Sequence, residues 1–155
     1  MVIIAKSVPY LMLSAINIGS IILLSVFALG LPIAGNLLLL VSLSLLFTVT
    51  CLSLGMLISS KTSSQQTAML ISLMGMFLPT LMLSGFMFPI ENMPLPLKII
   101  SNAVPAKWFF MIVKDVMIKG GGVEMIWKET LILMTMTVFF LMMSIRNYDI
   151  RLTTK

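Results

Sequence analysis

Apolar residues run through this chain in long blocks, separated by short polar or breaker-rich links. Val8–Leu29, Leu37–Ile58 and Ala68–Phe88 contain no Asp, Glu, Lys or Arg. A helix needs about 20 consecutive apolar residues to cross the hydrocarbon core of a bilayer, so each block predicts a transmembrane helix. Thr130–Ile145 predicts another. It is the shortest, but Trp127 and Tyr148 flank it with rings suited to the headgroup layer, and Lys128 and Arg146 can reach outward from its ends. The first block opens with Ser7-Val8-Pro9-Tyr10, where Ser7 is expected to cap the helix and Pro9 to sit in its first turn.

The links set the topology. Leu31-Pro32-Ile33-Ala34-Gly35-Asn36 is a tight breaker-rich turn, and Ser59–Thr67 (SSKTSSQQT) is short and polar, so the first three spans are expected to form two successive antiparallel hairpins that turn on opposite faces of the membrane. Small residues at four-residue spacing let helices approach closely in lipid. Cys51, Gly55 and Ser59, and likewise Ala15 and Gly19, form such rows and are expected to pack. Pro79, inside the third block, removes a backbone donor and frees the Gly75 carbonyl, which predicts a kink, either static or used as a gating hinge.

Beyond Gly85 the pattern changes. Phe86-Met87-Phe88-Pro89 is expected to end the third helix at the membrane boundary, with Pro89 forcing the turn. Leu95–Val104 and Trp108–Val113 are apolar but too short to span, Pro105 separates them, and Gly120–Gly122 closes the second. Drawn as a helix, the second segment puts Lys107, Met111, Lys114, Asp115 and Lys119 on one side. Phe109, Phe110, Val113, Val116 and Met117 populate the other. Asp115 and Lys119 are four apart in the favourable acid-first order. Residues 89–122 are therefore expected to lie in the interface, or to dip into the membrane and return. The predicted fold class is an all-α membrane protein with four transmembrane helices and an interfacial or re-entrant helical hairpin between the third and fourth.

Composition agrees: 59% of residues are hydrophobic, 10% are charged and mean hydropathy is +1.13. The net charge of +5 does not point to nucleic acid, because the cations sit at block boundaries instead of forming a basic stripe. Nor does it orient the chain. Lys6, Lys61, Arg146, Arg151 and Lys155 on one side balance Lys98, Lys107, Lys114, Lys119 and Lys128 on the other.

Chemistry is sparse. The chain has no histidine and one cysteine, and its 16 methionines are scattered, which suits adaptable packing better than Cu(I) ligation. No metal or cofactor site is expected. Glu124 and Glu129 flank Trp127 without a nucleophile or metal partner, so no enzymatic role is expected. Ion-coupled carriers keep an ionisable group at depth, and the first three blocks hold none. Energy for any transport must then come from elsewhere, and no glycine-rich phosphate loop is present to supply it. Glu91, the first carboxylate of the chain, is expected to cap the helix after Pro89 or to pair with a lysine; the sharper reading is a gating or substrate-access contact.

Three stretches carry a family resemblance. LSGFMFPIENMP, then Asn102-Ala103-Val104-Pro105-Ala106-Lys107-Trp108-Phe109, then Ile118-Lys119-Gly120, resemble the C-terminal signature of ABC transporter permeases of the type-2 exporter class. More narrowly they are similar to the bacterial multidrug-efflux branch. Lys6–Tyr10 resembles the start of that family's third span, and Leu57–Ala68 its link between the fourth and fifth. The resemblance implies that residues 1–155 are the C-terminal part of a permease transmembrane domain. A first span, a large extracytoplasmic domain, a second span and a coupling helix are then expected upstream.

It also implies a multi-pass protein of the bacterial cytoplasmic (inner) membrane, with cytoplasmic termini and the hairpin facing outward. The implied partners are an ABC ATPase subunit, which would carry the ATP and Mg, a second permease copy or paralogue, and membrane lipid. The cargo would be hydrophobic or amphipathic. Pro79, Gly85, Pro89, Glu91, Pro105, Trp108 and Lys114 are the candidate gating and structural residues; Lys114 stands where relatives often carry Arg. The residues taken without the resemblance also admit a small membrane-embedded assembly protein that transports nothing.

Overall fold

A computed structural model describes residues 2–30 and 33–153, with side chains over 7–30 and 33–147. Leu31 and Pro32 of the first turn fall outside these residues, as do the side chains of Lys6, Tyr148, Arg151 and Lys155. The chain forms α1 (Val2–Phe27), α2 (Leu37–Lys61) and α3 (Gln65–Ser72), then a π-helical turn (Leu73–Phe77) and α4 (Leu78–Leu83). A 3-10 turn (Ile90–Asn92), α5 (Leu95–Ser101), α6 (Pro105–Met117) and α7 (Val123–Thr153) follow. No strand occurs among the described residues. Four segments are long and apolar enough to cross a membrane: Ser7–Phe27, Leu37–Lys61, Gln65–Leu83 and Val123–Asn147. The predicted all-α, four-span class is what the chain adopts.

The core lies between α2, α6 and α7. Leu40 and Leu43 of α2, Ile112 and Val116 of α6, and Ile126 and Leu133 of α7 form one buried cluster. α2 packs along α7 more extensively than any other pair of elements, while α1 rests chiefly on α2. Within the spanning part of α1 no residue is buried. Local signals at the links are satisfied by side chains. The Asn36 side-chain oxygen accepts from Leu38 N–H at 3.0 Å and Ser64 Oγ accepts from Thr67 N–H at 3.1 Å, starting α2 and α3.

Several sequence expectations shift. α1 begins at Val2, so Ser7 is not its cap; Pro9 lies inside the helix, and Ser7 Oγ instead donates to Met56 Sδ at 3.5 Å. The third span stops at Leu83, short of Phe88, because Gly85 takes a φ of +89° that no helix continues through. α7 starts at Val123, with Glu124, Lys128 and Glu129 in its opening turns.

Of the rows of small residues, the two glycines make no close approach within the chain: a Cβ added at Gly19 or Gly55 would meet nothing within 4 Å. Hydroxyl residues occupy the α2–α7 contact instead. Thr50 Oγ1 and Thr137 Oγ1 lie 2.6 Å apart, and each is also within bonding distance of the carbonyl one turn earlier, Leu46 O at 2.9 Å and Leu133 O at 2.7 Å. Such short side chains satisfy themselves on their own helix and still allow close approach.

Candidate functional site

The distinctive geometry begins where the third span loses α-helical register. From Leu73 to Phe77 the backbone is π-helical, and Leu78 N–H reaches back five residues to Leu73 O. Pro79 follows at once and has no N–H to give. Widening the preceding turn is one way a helix accommodates such a residue, so the predicted distortion takes the form of a π turn before Pro79. The two halves of the span have different neighbours: α3 lies against α2, whereas α4 lies against α5 and α6.

α4 ends in a compact turn. The Ser84 hydroxyl accepts from Phe86 N–H at 3.3 Å. A Cβ on Gly85 would come within 3.0 Å of the Ile90 side chain, so both the φ and the space favour glycine. Phe86 meets Phe110 of α6 edge to face at 6.1 Å. Pro89 opens the 3-10 turn, closed by Asn92 N–H on Pro89 O at 3.0 Å. Glu91 is exposed in this turn. It does not cap α5, whose start at Pro94 has no side-chain cap bond, and it forms no ion pair among the described residues.

Between the upper third span and this turn lies a cleft of about 480 Å³. Met74, Leu78, Pro79 and Met82 line one wall, and Phe88, Met93 and Leu97 line the other. It is almost wholly apolar, with Asn92 at its edge. Pro79 and Pro89 thus share one cavity, while Pro105, Trp108 and Lys114 lie outside it.

α5 and α6 are joined by a short turn, with Asn102–Val104 at its tip. Pro105 is the first residue of α6, where a missing N–H costs nothing. Trp108 Nε1–H donates to the Asn102 carbonyl at 3.0 Å and ties α6 to the tip. On the outer side of α6, Asp115 and Lys119 form the predicted ion pair at 2.6 Å, and Lys114 is exposed without an ion-pair partner.

The opposite face of α6 runs against α2. Phe109 stacks on Phe47 with ring centroids 4.3 Å apart and planes 2° apart. At 1.5 Å per residue, Phe47 lies about 15 Å along α2 from its start at Leu37. At the other end of α6, Ala34 N–H donates to Met117 O at 3.3 Å, and a Cβ on Gly35 would fall 2.5 Å from Val116 O. α6 therefore lies alongside the first half of α2.

One residue departs from the helical projection. Lys107, assigned there to the charged side, is only 5% exposed. Its ammonium donates to Ser101 Oγ at 3.2 Å and to the Asn102 side-chain carbonyl. Burial, and then the nearby Lys98 ammonium, lower its affinity for a proton. A projection orders residues by angle but does not show which arc a neighbour covers; here Ser101 and Asn102, at the end of α5, bond Lys107 from only six and five residues upstream. Among the described residues no group of three His, Cys, Asp or Glu could hold a metal.

Comparison with known proteins adds a family. Residues 1–118 match the family described as ABC-2 type transporter. The chain is 35% identical over 136 residues to the "Probable multidrug ABC transporter permease YbhS" of Escherichia coli (strain K12), covering 88% of this chain and 36% of that protein. It is 29% identical over 134 residues to YbhR of the same organism, covering 86% and 36%. Against "ABC transporter G family member 20" of Dictyostelium discoideum it is 26% identical over 138 residues, covering 88% and 19%. The chain thus spans about 36% of the length of each of the two E. coli relatives. No solved structure matches it.

Proposed function

Because the chain belongs to the ABC-2 type transporter family, we propose that it is the C-terminal part of a permease transmembrane domain, lining an export path for hydrophobic or amphipathic molecules. The observation that carries this reading is the apolar cleft between the distorted third span and the turn and first residues of α5 that follow it. It offers shelter to a molecule leaving the membrane without presenting fixed charge, and the π turn beside it gives one wall a means to move. On this reading the chain catalyses nothing. ATP and Mg bind a separate ATPase subunit, and a second permease copy or a paralogue completes the path.

The hairpin faces outward and re-enters the membrane, with cytoplasmic termini in a bacterial inner membrane. The contact of Phe109 with Phe47, well along a spanning helix, supports re-entry over a surface position. Pro79 serves as the hinge; Gly85 and Pro89 make the turn; Glu91 stands exposed as an access contact. Pro105 and Trp108 shape the hairpin tip, and Lys114 points to a partner or headgroup.

Affinity purification of the full-length protein from its native membrane should bring down an ATPase with a phosphate-binding loop, and the pair should export a hydrophobic dye only with ATP. Recovery without any ATPase, together with dye movement indifferent to ATP, refutes the reading.

A further inference from the structure

Lysine is almost never fully buried without a counter-charge, yet Lys107 has none among the described residues. Its two side-chain partners, Ser101 and Asn102, are neutral. The Ser101 hydroxyl donates its single proton to Lys98 O at 2.8 Å, so toward Lys107 it can act only as an acceptor. An ammonium has three N–H donors; these contacts use two, and a further neighbour is the uncharged Trp108 ring, its centroid 5.2 Å from the ammonium. The ion pair formed among the described residues joins Lys119 to Asp115, on a different part of α6. Ser101 thus links two lysines, since its Oγ contacts the backbone of Lys98 and the ammonium of Lys107.

The surroundings specify more than charge. Lys98 is exposed, and Leu95, Ile99 and Ile100 beside it on α5 are 76%, 69% and 54% exposed. An acidic group near the two ammoniums would carry any attached hydrocarbon along this uncovered apolar surface. Asn102, itself exposed, offers an amide donor at the same tip.

We propose that Lys98, Asn102 and Lys107 around the turn between α5 and α6 form a binding site for an amphipathic anion, a phosphate or carboxylate headgroup carried on an apolar chain. The proposal rests on the export reading and deepens it by naming a class of cargo: acidic amphiphiles are accepted at this tip and lipophilic cations are repelled. The same chemistry could come from a free amphiphile or from an acidic phospholipid of the membrane.

The test uses the full-length protein in a neutral detergent, without ATP, titrated calorimetrically with dodecyl phosphate, dodecyltrimethylammonium and dodecanol. Dodecyl phosphate should bind at least about tenfold more tightly than the other two, the worth of one charge-assisted hydrogen bond. Lys107→Met and Lys98→Gln should each weaken it about tenfold or more while leaving dodecanol unaffected. If Lys107→Met fails to fold, the exposed Lys98→Gln decides alone.

Displacement by phosphatidylglycerol identifies a membrane lipid as the occupant, and failure to displace identifies a free amphiphile; both support the site. Equal affinity for the phosphate and the ammonium compound overturns it, as does unchanged binding in the folded variants. Binding is read without nucleotide. Loss of ATP-driven efflux would therefore strike the export reading and leave this site standing, and the reverse result would do the opposite.

Discussion

Thr50 and Thr137 meet where α2 and α7 press together, and their 2.6 Å contact is the buried side-chain bond between those two helices. Thr50→Val or Thr137→Val should each cost about 0.5–1.5 kcal/mol in detergent unfolding. The double variant should cost less than the sum, by about 0.6 kcal/mol, as for similar bonds inside membranes. Gly35 is constrained from another direction. Alanine there would collide with Val116 O, so Gly35→Ala should lower stability by about 1–3 kcal/mol, read as a drop in melting temperature. Lys107 gives a prediction with a sign. Its proton is held more weakly in the folded chain than in the unfolded one, so the unfolded state binds more protons as pH approaches the ordinary lysine value. Stability then rises with pH across that window. Unfolding measured from neutral to alkaline pH should show this rise, and Lys107→Met should remove its share.

At the scale of elements, the apolar blocks were legible because a bilayer leaves helices few alternatives. Their ends were less so. Hydropathy carries the third block through to Phe88, but helix termination depends on backbone geometry at Gly85, which hydropathy does not report. α7 outruns its apolar block for the opposite reason: charged residues interrupt an apolar run without interrupting a helix. Pro79 was recognised as a source of distortion, whereas the form it takes, a widened turn centred on Gly75, arises from the bonds the backbone remakes upstream. Deleting Gly75 should return the span to α-helical register and turn α4 relative to α3 by about 100°, one residue's worth of helix. Spin labels at Met69 and Leu97 should then report a changed distance, and dye efflux by the assembled transporter should fall. An unchanged distance would rule out the hinge.

For the whole molecule, packing is uneven. α2, α6 and α7 hold the buried cluster, whereas the spanning part of α1 holds no buried residue. Hydrogen exchange in detergent should therefore be slowest in α2 and α7 and markedly faster in α1 and α3. Nothing in the periodicity foretold this imbalance, since α1 is as apolar as its neighbours and differs only in what stands beside it. The link between α1 and α2 runs against that looseness, because Ala34 donates to Met117 and a Cβ added at Gly120 would fall 3.1 Å from Ala34 O. Loop length is ordinarily forgiving, and tolerance follows how far the backbone is bonded and covered. An epitope tag or reporter spliced at Gly35 should wreck expression, whereas the same cassette placed at Ser63, in the exposed polar link before α3, should be accepted.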